Sequence, residues 1–481
     1  MKRRGPRRAP GRGGAQAPQA RAPTRSGQSG ALAAAGGAAG LAARRAACDI
    51  LVAVETRRAF ADVLLGRRLG ALAPVDRRLV TRLVLGTLAW RGRLDYELAH
   101  ICALPLDRLD PTLLAVLRLG LFQMRQLSRV PAHAAVDTAV TLARGARGRG
   151  AAGLVNAVLR RAARGALAMP ERARDEGAYL SVACSHPRWL VGRFIEWFGV
   201  ARAEALMAAN NEAAPNVVRL NLARGTREEV IARMAADGVE VVPGGCLPET
   251  AILAATPDFD AASYREGWFH PQSEASQMVA RMLSPAPGAT VIDCAAAPGG
   301  KATHLAELVG PHGRIVAFDL NLRGLCAARA VAQTLGHRNL DFARADVAAA
   351  APVRPEAAQF VLLDAPCTGT GTLREHPEIR WRLDPDDFRR MALVQRRMLE
   401  SAATLVRPGG VIVYAVCSLA HDEGPGALRD FLQAHPEFAL ERPPVAELAP
   451  WLASDGTLAT SPERGGLDGF YAARMRRCPK G

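Results

Sequence analysis

The spacing of apolar and polar positions changes twice along this chain. From about residue 41 to 168 the apolar residues recur at helical intervals: Val80, Leu83, Val84, Thr87 and Leu88 share one face, and Leu113, Leu117, Leu121 and Met124 share another. Asp110 followed by Pro111 supplies a cap and a first-turn proline for the second of these helices. With segments 79–90, 91–104 and 131–166 the pattern predicts an all-α helical bundle. Residues 173–213, which include HPRWLVGRFIEWFG, read as connecting helices, and residues 217–222 then alternate with the period of a strand.

Beyond that point strands and helices alternate. Predicted strands end at Asp293, Asp319, Asp364 and Cys417, with a helix after Lys301 and another running to Leu335. Asp384 and Pro385 open a long amphipathic helix that turns Phe388, Met391, Ala392, Met398 and Leu399 inward. This is the signature of a doubly wound parallel sheet with crossover helices. The expected fold is multidomain. An all-α bundle spans 41–168, connecting helices and a small α+β subdomain span 169–265, and an α/β Rossmann-like domain spans 266–481. A chain of 481 residues is long enough for two or three separate cores.

Residues 1–40, rich in Arg, Pro, Gly, Ala and Ser, lack the large apolar side chains needed to fold and predict a disordered basic tail. The formal net charge is +16, and the first 48 residues hold ten Lys or Arg and no acid. Clustered positive charge favours a polyanion through counterion release, although basic tails also serve as solubilising extensions. Residues 31–43 are too weakly hydrophobic for a signal peptide. No uncharged apolar run approaches the roughly 18 residues that span a bilayer, so no membrane partner is expected. Nine cysteines lie scattered without CxxC or Cys/His clusters, which points to a reducing, cytoplasmic setting with no metal site. The chain is expected to be a monomer.

The loop after the strand ending at Asp293 reads Cys-Ala-Ala-Ala-Pro-Gly-Gly-Lys301, small residues that let backbone N–H groups approach a ligand. Asp319 ends the next strand, where Rossmann-like folds place an acid against a ribose diol. Without a Gly-x-Gly-x-x-Gly fingerprint, the pair points to a nucleoside cofactor other than a dinucleotide. Lys301 is one of three lysines among 62 basic residues, the others being Lys2 and Lys480, which suggests a position where a forked guanidinium will not serve. Two segments then carry the chemistry, LLDAPCTGTG with Asp364 and Cys367, and YAVCS with Cys417. Both cysteines follow apolar strands, so both fall at the carboxyl edge of the sheet, where ligands bind. Two thiols and an acid suit transfer of a methyl group to carbon 5 of cytosine, a carbon that reacts only after a thiolate has added at carbon 6. A carboxyl near ring nitrogen 3 stabilises the charge that builds there.

At these residues a family resemblance becomes close. CAAAPGGK, LLDAPC, HPEIRW and the terminal GLDGFYAAR resemble the RsmB/Sun group of ribosomal RNA cytosine-5 methyltransferases from about residue 173 onward. GTLAWRGRLDYEL, LRLGLFQM and GLVNAVLRR resemble a NusB-like RNA-binding domain, which the same group carries. The resemblance implies ribosomal RNA, small-subunit 16S, as substrate and S-adenosylmethionine as cofactor. It implies Cys417 as nucleophile, Cys367 as an aid to product release, and Asp364 and Lys301 as further catalytic groups, with Asp364 facing the base. Ala295, Ala296, Ala297, Pro298, Gly299, Gly300, Lys301, Asp319, Arg323, Asp346 and Asp364 would surround the cofactor. Val416 departs from the group, which usually has Thr before the nucleophile, and Thr368-Gly369 replaces a more usual Ser-Ala or Ser-Gly. The rival readings are a DNA cytosine-5 methyltransferase using Cys367, and a non-catalytic RNA-binding or antitermination factor. The second thiol weighs against the first, and four intact reactive positions weigh against the second.

Overall fold

A computed structural model of the chain describes residues 38–479 except Ala71, Ala166, Pro257 and Asp258. The expected basic tail therefore lies, but for its last residues, outside the described residues. Six helices form the first unit: α1 (Ala38–Arg57), α2 (Ala61–Leu69), α3 (Pro74–Ala89), α4 (Arg91–Ile101), α5 (Pro111–Gln126) and α6 (Ala132–Ala162). The Asp110 carboxylate accepts hydrogen bonds from the Thr112 (3.0 Å) and Leu113 (3.3 Å) amides, and Pro111 opens α5. Val80, Leu83, Val84, Thr87 and Leu88 are all buried, as are Leu113, Leu117 and Leu121. The heptad-like spacing was thus a reliable guide to the bundle core.

Three helices follow, α7 (Glu176–Ala183), α8 (Arg188–Phe198) and α9 (Val200–Ala209), and share a core with Leu373, Phe388 and Ala420 from the later α/β region. A small antiparallel sheet comes next, from β1 (Asn216–Leu220), α10 (Arg227–Ala236), β2 (Val241–Val242), β3 (Thr250–Leu253), α11 (Ala262–Arg265) and β4 (Phe269–Pro271). Its order is β2-β3-β1-β4, and it has its own core.

The large sheet begins after α12 (Glu274–Leu283) with β5 (Thr290–Asp293), α13 (Gly300–Val309), β6 (Arg314–Asp319), α14 (Leu322–Leu335) and β7 (Leu340–Arg344). The chain then returns to the other side of β5 with β8 (Ala358–Asp364), α15 (Asp387–Thr404), β9 (Val406–Val416) and α16 (Pro425–Ala434), and ends with β10 (Phe438–Leu440), β11 (Leu458–Ala459) and β12 (Tyr471–Arg477). The order is β10-β12-β9-β8-β5-β6-β7, with β11 against β12. Reversal between β5 and β8 opens a crevice at their carboxyl ends. Period-two alternation divides the strands between two cores: Val411, Val413 and Ala415 face one side, Ile412, Tyr414 and Val416 the other.

The sheet corrects the expectation of a wholly parallel one. Strands β9, β8, β5, β6 and β7 are parallel, but β12 runs antiparallel to β9, and β10 antiparallel to β12. Strand β12, YAARMRR, hides its character because its arginines are paired: Arg474 is buried, donating to Glu441 Oε1 (2.9 Å) and to Leu283 O (3.1 Å). Strand β7 is an exposed edge without an apolar run, and the sequence pattern passes over it. Lys301 lies inside the first turn of α13, one residue after the helix begins.

The HPEIRW segment joins the units. Arg380, fully buried, donates to Asn211 Oδ1 (2.7 Å), Leu373 O (3.0 Å), Asn210 O (3.2 Å) and Ser185 O (3.3 Å), and Trp381 Nε1 donates to Leu88 O of the bundle (2.9 Å). The Ala61 amide of α2 donates to Glu378 Oε1 (2.8 Å).

Candidate active site

A cleft of about 570 Å³ lies between the small sheet and the carboxyl edge of the large one. From the large sheet it is lined by residues 295–298, Gly300, Lys301, Asp364, Thr372, Glu375, His376, Cys417 and Phe470. From the small sheet and its continuation it is lined by residues 215–218, Thr256, Phe259, 270–273 and Ser276.

Each reactive group stands where a strand stops. Beyond β5, Gly299 adopts φ 110°, and a Cβ there would come within 2.7 Å of Ala328 Cα, so the loop closes against α14 only as glycine. The Asp319 carboxylate, at the end of β6, accepts from the Ala297 amide (2.9 Å) and the Asn321 amide (2.7 Å), which ties the loop to the second strand. Each of its oxygens keeps a lone pair for a ribose hydroxyl. A loop of small residues, Ala295 to Gly300, with an acid beside it, fits a nucleoside sulfonium.

Lys301 Nζ lies 2.6 Å from Asp364 Oδ2 and 5.1 Å from the centre of the Phe470 ring. Burial opposes the ammonium, but Asp364, then Cys417 and Asp293, overcome it and raise its pKa above the ordinary lysine value. The Cys367 and Cys417 sulfurs are 3.2 Å apart. Hydrogen bonding with Cys417, followed by burial, pushes the Cys367 thiol well above its usual range. Either sulfur can donate in this contact. Cys417 lines the cleft and Cys367 is not among its lining residues, although both are half-buried.

A buried polar network that sequence reasoning missed holds the two cysteine loops together. Glu423, with no exposed surface, accepts from the Thr368 amide (2.9 Å), Thr368 Oγ1 (2.5 Å), Gln395 Nε2 (3.0 Å) and Ser418 Oγ. Gln395 also donates to Pro366 O (2.9 Å), and the Gly371 amide donates to Cys417 O (3.0 Å). Gly371 lies against Gly469 of the GLDGF segment, whose carbonyl would be 1.8 Å from any Cβ at 371, which explains the glycine and brings Phe470 over Lys301. A glutamate six residues beyond Cys417 in AHDEG gave no signal, because acids are ordinary in loops.

Two further acids escaped notice. Asp293, fully buried, is pushed up to about 7, first by burial and also by Asp364, and Glu375 is pushed up to about 8 by burial and Asp468. Of the remaining anticipated residues, Asp346 is exposed two residues past β7 and accepts from the Ala348 amide (3.0 Å). Asp319 and Asp346 lie further along the sheet edge than the cleft lining, following β6 and β7 as Asp364 follows β8. Arg323 is exposed on the first turn of α14 and does not line the cleft. The ligand atoms of Asp62, His376 and Glu378 lie within 4.8 Å of one another at the joint with the bundle, a grouping the scattered sequence positions did not announce.

A mixed sheet with a switch-point crevice in its parallel part, a small-residue loop after β5 and an acid at the end of β6 fits an S-adenosylmethionine-dependent methyltransferase. Comparison with known proteins narrows the class. Residues 280–476 match the family model of 16S rRNA methyltransferase RsmB/F, residues 41–164 match the NusB family, and residues 186–260 match the RsmF/B-like ferredoxin-like domain. The ribosomal RNA small subunit methyltransferase B of Thermus thermophilus is 40% identical over 407 residues, 84% of this chain and 89% of that protein. The probable small subunit methyltransferase B of Bacillus subtilis is 33% identical over 412 residues, 84% of this chain and 92% of that one. The crystal structure of PH0851 superposes with a TM-score of 0.77 at 28% identity, covering 90% of this chain and 99% of that one. The chain belongs to the RsmB/F family of 16S rRNA methyltransferases, with a NusB-type domain at its amino-terminal side. Among the described residues, no helix is long and apolar enough to cross a membrane.

Proposed function

We propose that this protein methylates carbon 5 of a cytosine in small-subunit ribosomal RNA through a covalent bond between Cys417 and carbon 6 of the base. The observation that carries this reading is the asymmetry of the sulfur pair: Cys417 lines the cleft with Lys301 and Asp364, while Cys367, 3.2 Å from it, is not part of the lining.

When bound, S-adenosylmethionine supplies an electrophilic methyl group on a sulfonium. Residues 295–301, Asp319, Asp346 and Asp364 would hold it, and the bundle supplies RNA affinity. The Cys417 thiolate attacks carbon 6, forming the S–C6 bond and driving the ring electrons to carbon 5, which would take the methyl as its bond to the sulfonium breaks and the electron pair leaves with a neutral thioether. Asp364 faces the base, and the Lys301 ammonium provides positive charge where addition makes the ring negative. Carbon 5 then releases its proton to water, the S–C6 bond breaks, and the electron pair returns to Cys417. The Cys367 S–H, already hydrogen-bonded to that sulfur, stabilises the departing thiolate. Its place in the pair supports a role in release.

The two roles predict opposite outcomes on a denaturing gel. Cys417→Ala forms no adduct and no 5-methylcytosine by bisulfite mapping, whereas Cys367→Ala attacks, methylates and accumulates RNA covalently attached. Adduct on Cys417→Ala would instead make Cys367 the nucleophile.

A further inference from the structure

Arg219 is one of the largest side chains in the protein to be fully buried. It stands on β1 of the small sheet, yet its guanidinium bonds point across to the large one. Nη1 donates to Gly300 O (2.7 Å) and to Gln272 Oε1, Nη2 to Thr303 Oγ1 (3.0 Å) and Glu307 Oε1 (2.9 Å), and Nε to Glu307 Oε1 (3.2 Å). Residues 300, 303 and 307 form one stripe of α13, so the planar fork lies along a helix face and fixes both its rotation and its height. A single-point ammonium could fix only one of these. Lys301 is the next residue round the same turn, with its ammonium on Asp364.

Helix stability does not account for this arrangement. A cation at a helix N-terminus opposes the macrodipole, and a buried guanidinium is costly to desolvate. Glu307 offsets the charge, and what remains distinctive is the geometry of the grip. A second side chain near the same strand acts in parallel: Asn221 Nδ2 donates to Leu335 O (3.0 Å) at the end of α14 and to Gly267 O (2.8 Å). The two helices that flank the crevice are thus both held from the small subdomain.

We infer that Arg219 is a positioning residue for the cofactor site: it sets the first turn of α13, and through it Lys301 and the loop at 295–300, against S-adenosylmethionine. This rests on the assignment of that loop to the cofactor.

The test uses the full chain as wild type, Arg219→Met, Arg219→Lys and Asp319→Ala, with calorimetric binding of S-adenosylmethionine alone beside steady-state kinetics. Arg219→Met is expected to weaken cofactor binding and raise the cofactor KM about tenfold, with kcat within about threefold and the RNA KM unchanged, the signature of displaced binding groups. Arg219→Lys, which keeps the charge opposite Glu307 but loses the fork, shifts the same way by less. A fall in kcat at unchanged cofactor KM means fewer folded molecules and a merely structural role, and overturns the inference, as does unchanged binding in both variants. If Arg219→Met does not fold, Arg219→Lys decides by the same criteria. If Asp319→Ala binds the cofactor like wild type, the cofactor assignment itself fails, independently of Arg219.

Discussion

The wall of the cleft built by the large sheet brings together Lys301 from the first turn of α13 with Asp364 and Cys417 from the ends of β8 and β9, and Lys301 and Asp364 form an ion pair. The wall facing it presents amide, hydroxyl, apolar and imidazole groups from Asn216, Thr256, Phe259, His270, Gln272 and Ser273, and no formal charge. Its one titratable group is kept neutral: burial, then Arg219, lowers His270 to about 4, with Glu307 opposing. The charged groups of the cleft sit on one side, and the other side offers hydrogen bonds and apolar surface. A wall without cations has little hold on phosphate and is suited to hydrogen bonding and apolar contact.

The largest break in this comparison comes from removing the cation. Lys301→Met leaves Asp364 unpaired and takes positive charge from the reacting ring, and single-turnover methylation should fall by about 10²- to 10³-fold. Lys301→Arg should recover little of it, because a planar fork cannot occupy the place of a compact ammonium between Asp364 and Phe470. Activity near wild type in Lys301→Arg would show that charge alone matters there.

A smaller loss is expected from Glu423→Ala, which touches no substrate but removes the acceptor shared by Thr368, Ser418 and Gln395. The two cysteine loops lose their common support, and misplacement by about an ångström costs on the order of a hundredfold in rate. The expected pattern is a fall in kcat at unchanged cofactor KM. Glu423→Gln, which keeps one acceptor, should lie between.

The residues of this comparison were unequally visible in the sequence. Asp319, Asp364, Cys367, Cys417 and the loop ending at Lys301 stood out because each follows an apolar strand, and a sheet delivers strand ends to one edge whatever their separation along the chain. The bundle was visible for a similar reason, since a helical stripe is a local property. Glu423, Arg219 and Arg380 were invisible. Their significance lies in burial and in distant partners, one of them 195 residues away, and an arginine among 62 basic residues carries no mark of being buried. The antiparallel β12 escaped because its arginines read as surface until Glu441 is brought beside them.

On the neutral wall, His270 gives a pH test. Its folded value of about 4 lies below its ordinary 6.5, so folding favours the uncharged ring. The contribution is fully present above pH 6.5 and drains as pH falls from there toward about 4. His270→Asn removes that drain: between about pH 7.5 and pH 5 its Tm should fall less than that of wild type. An equal fall in both would mean that His270 is no more buried than a surface histidine.

The smallest effect is expected at Val416, where the resembling group has threonine. Position 416 has no exposed surface, and the alternation along β9 points its side chain into the core with Ile412, Tyr414 and Ala473, on the opposite side from Cys417. The placement of Cys417 comes instead from the Gly371 amide on its carbonyl, the Cys367 sulfur, and Ser418 anchored to Glu423. None of these passes through the side chain at 416. Val416→Thr should therefore leave kcat within about twofold while lowering stability by about 1–2 kcal/mol, the cost of a hydroxyl among apolar neighbours. Paired measurements of denaturant midpoint and methylation rate decide it. A rate increase without a loss of stability would mean that the hydroxyl finds a partner in the cysteine loop, and that the core side of β9 also takes part in placing the nucleophile.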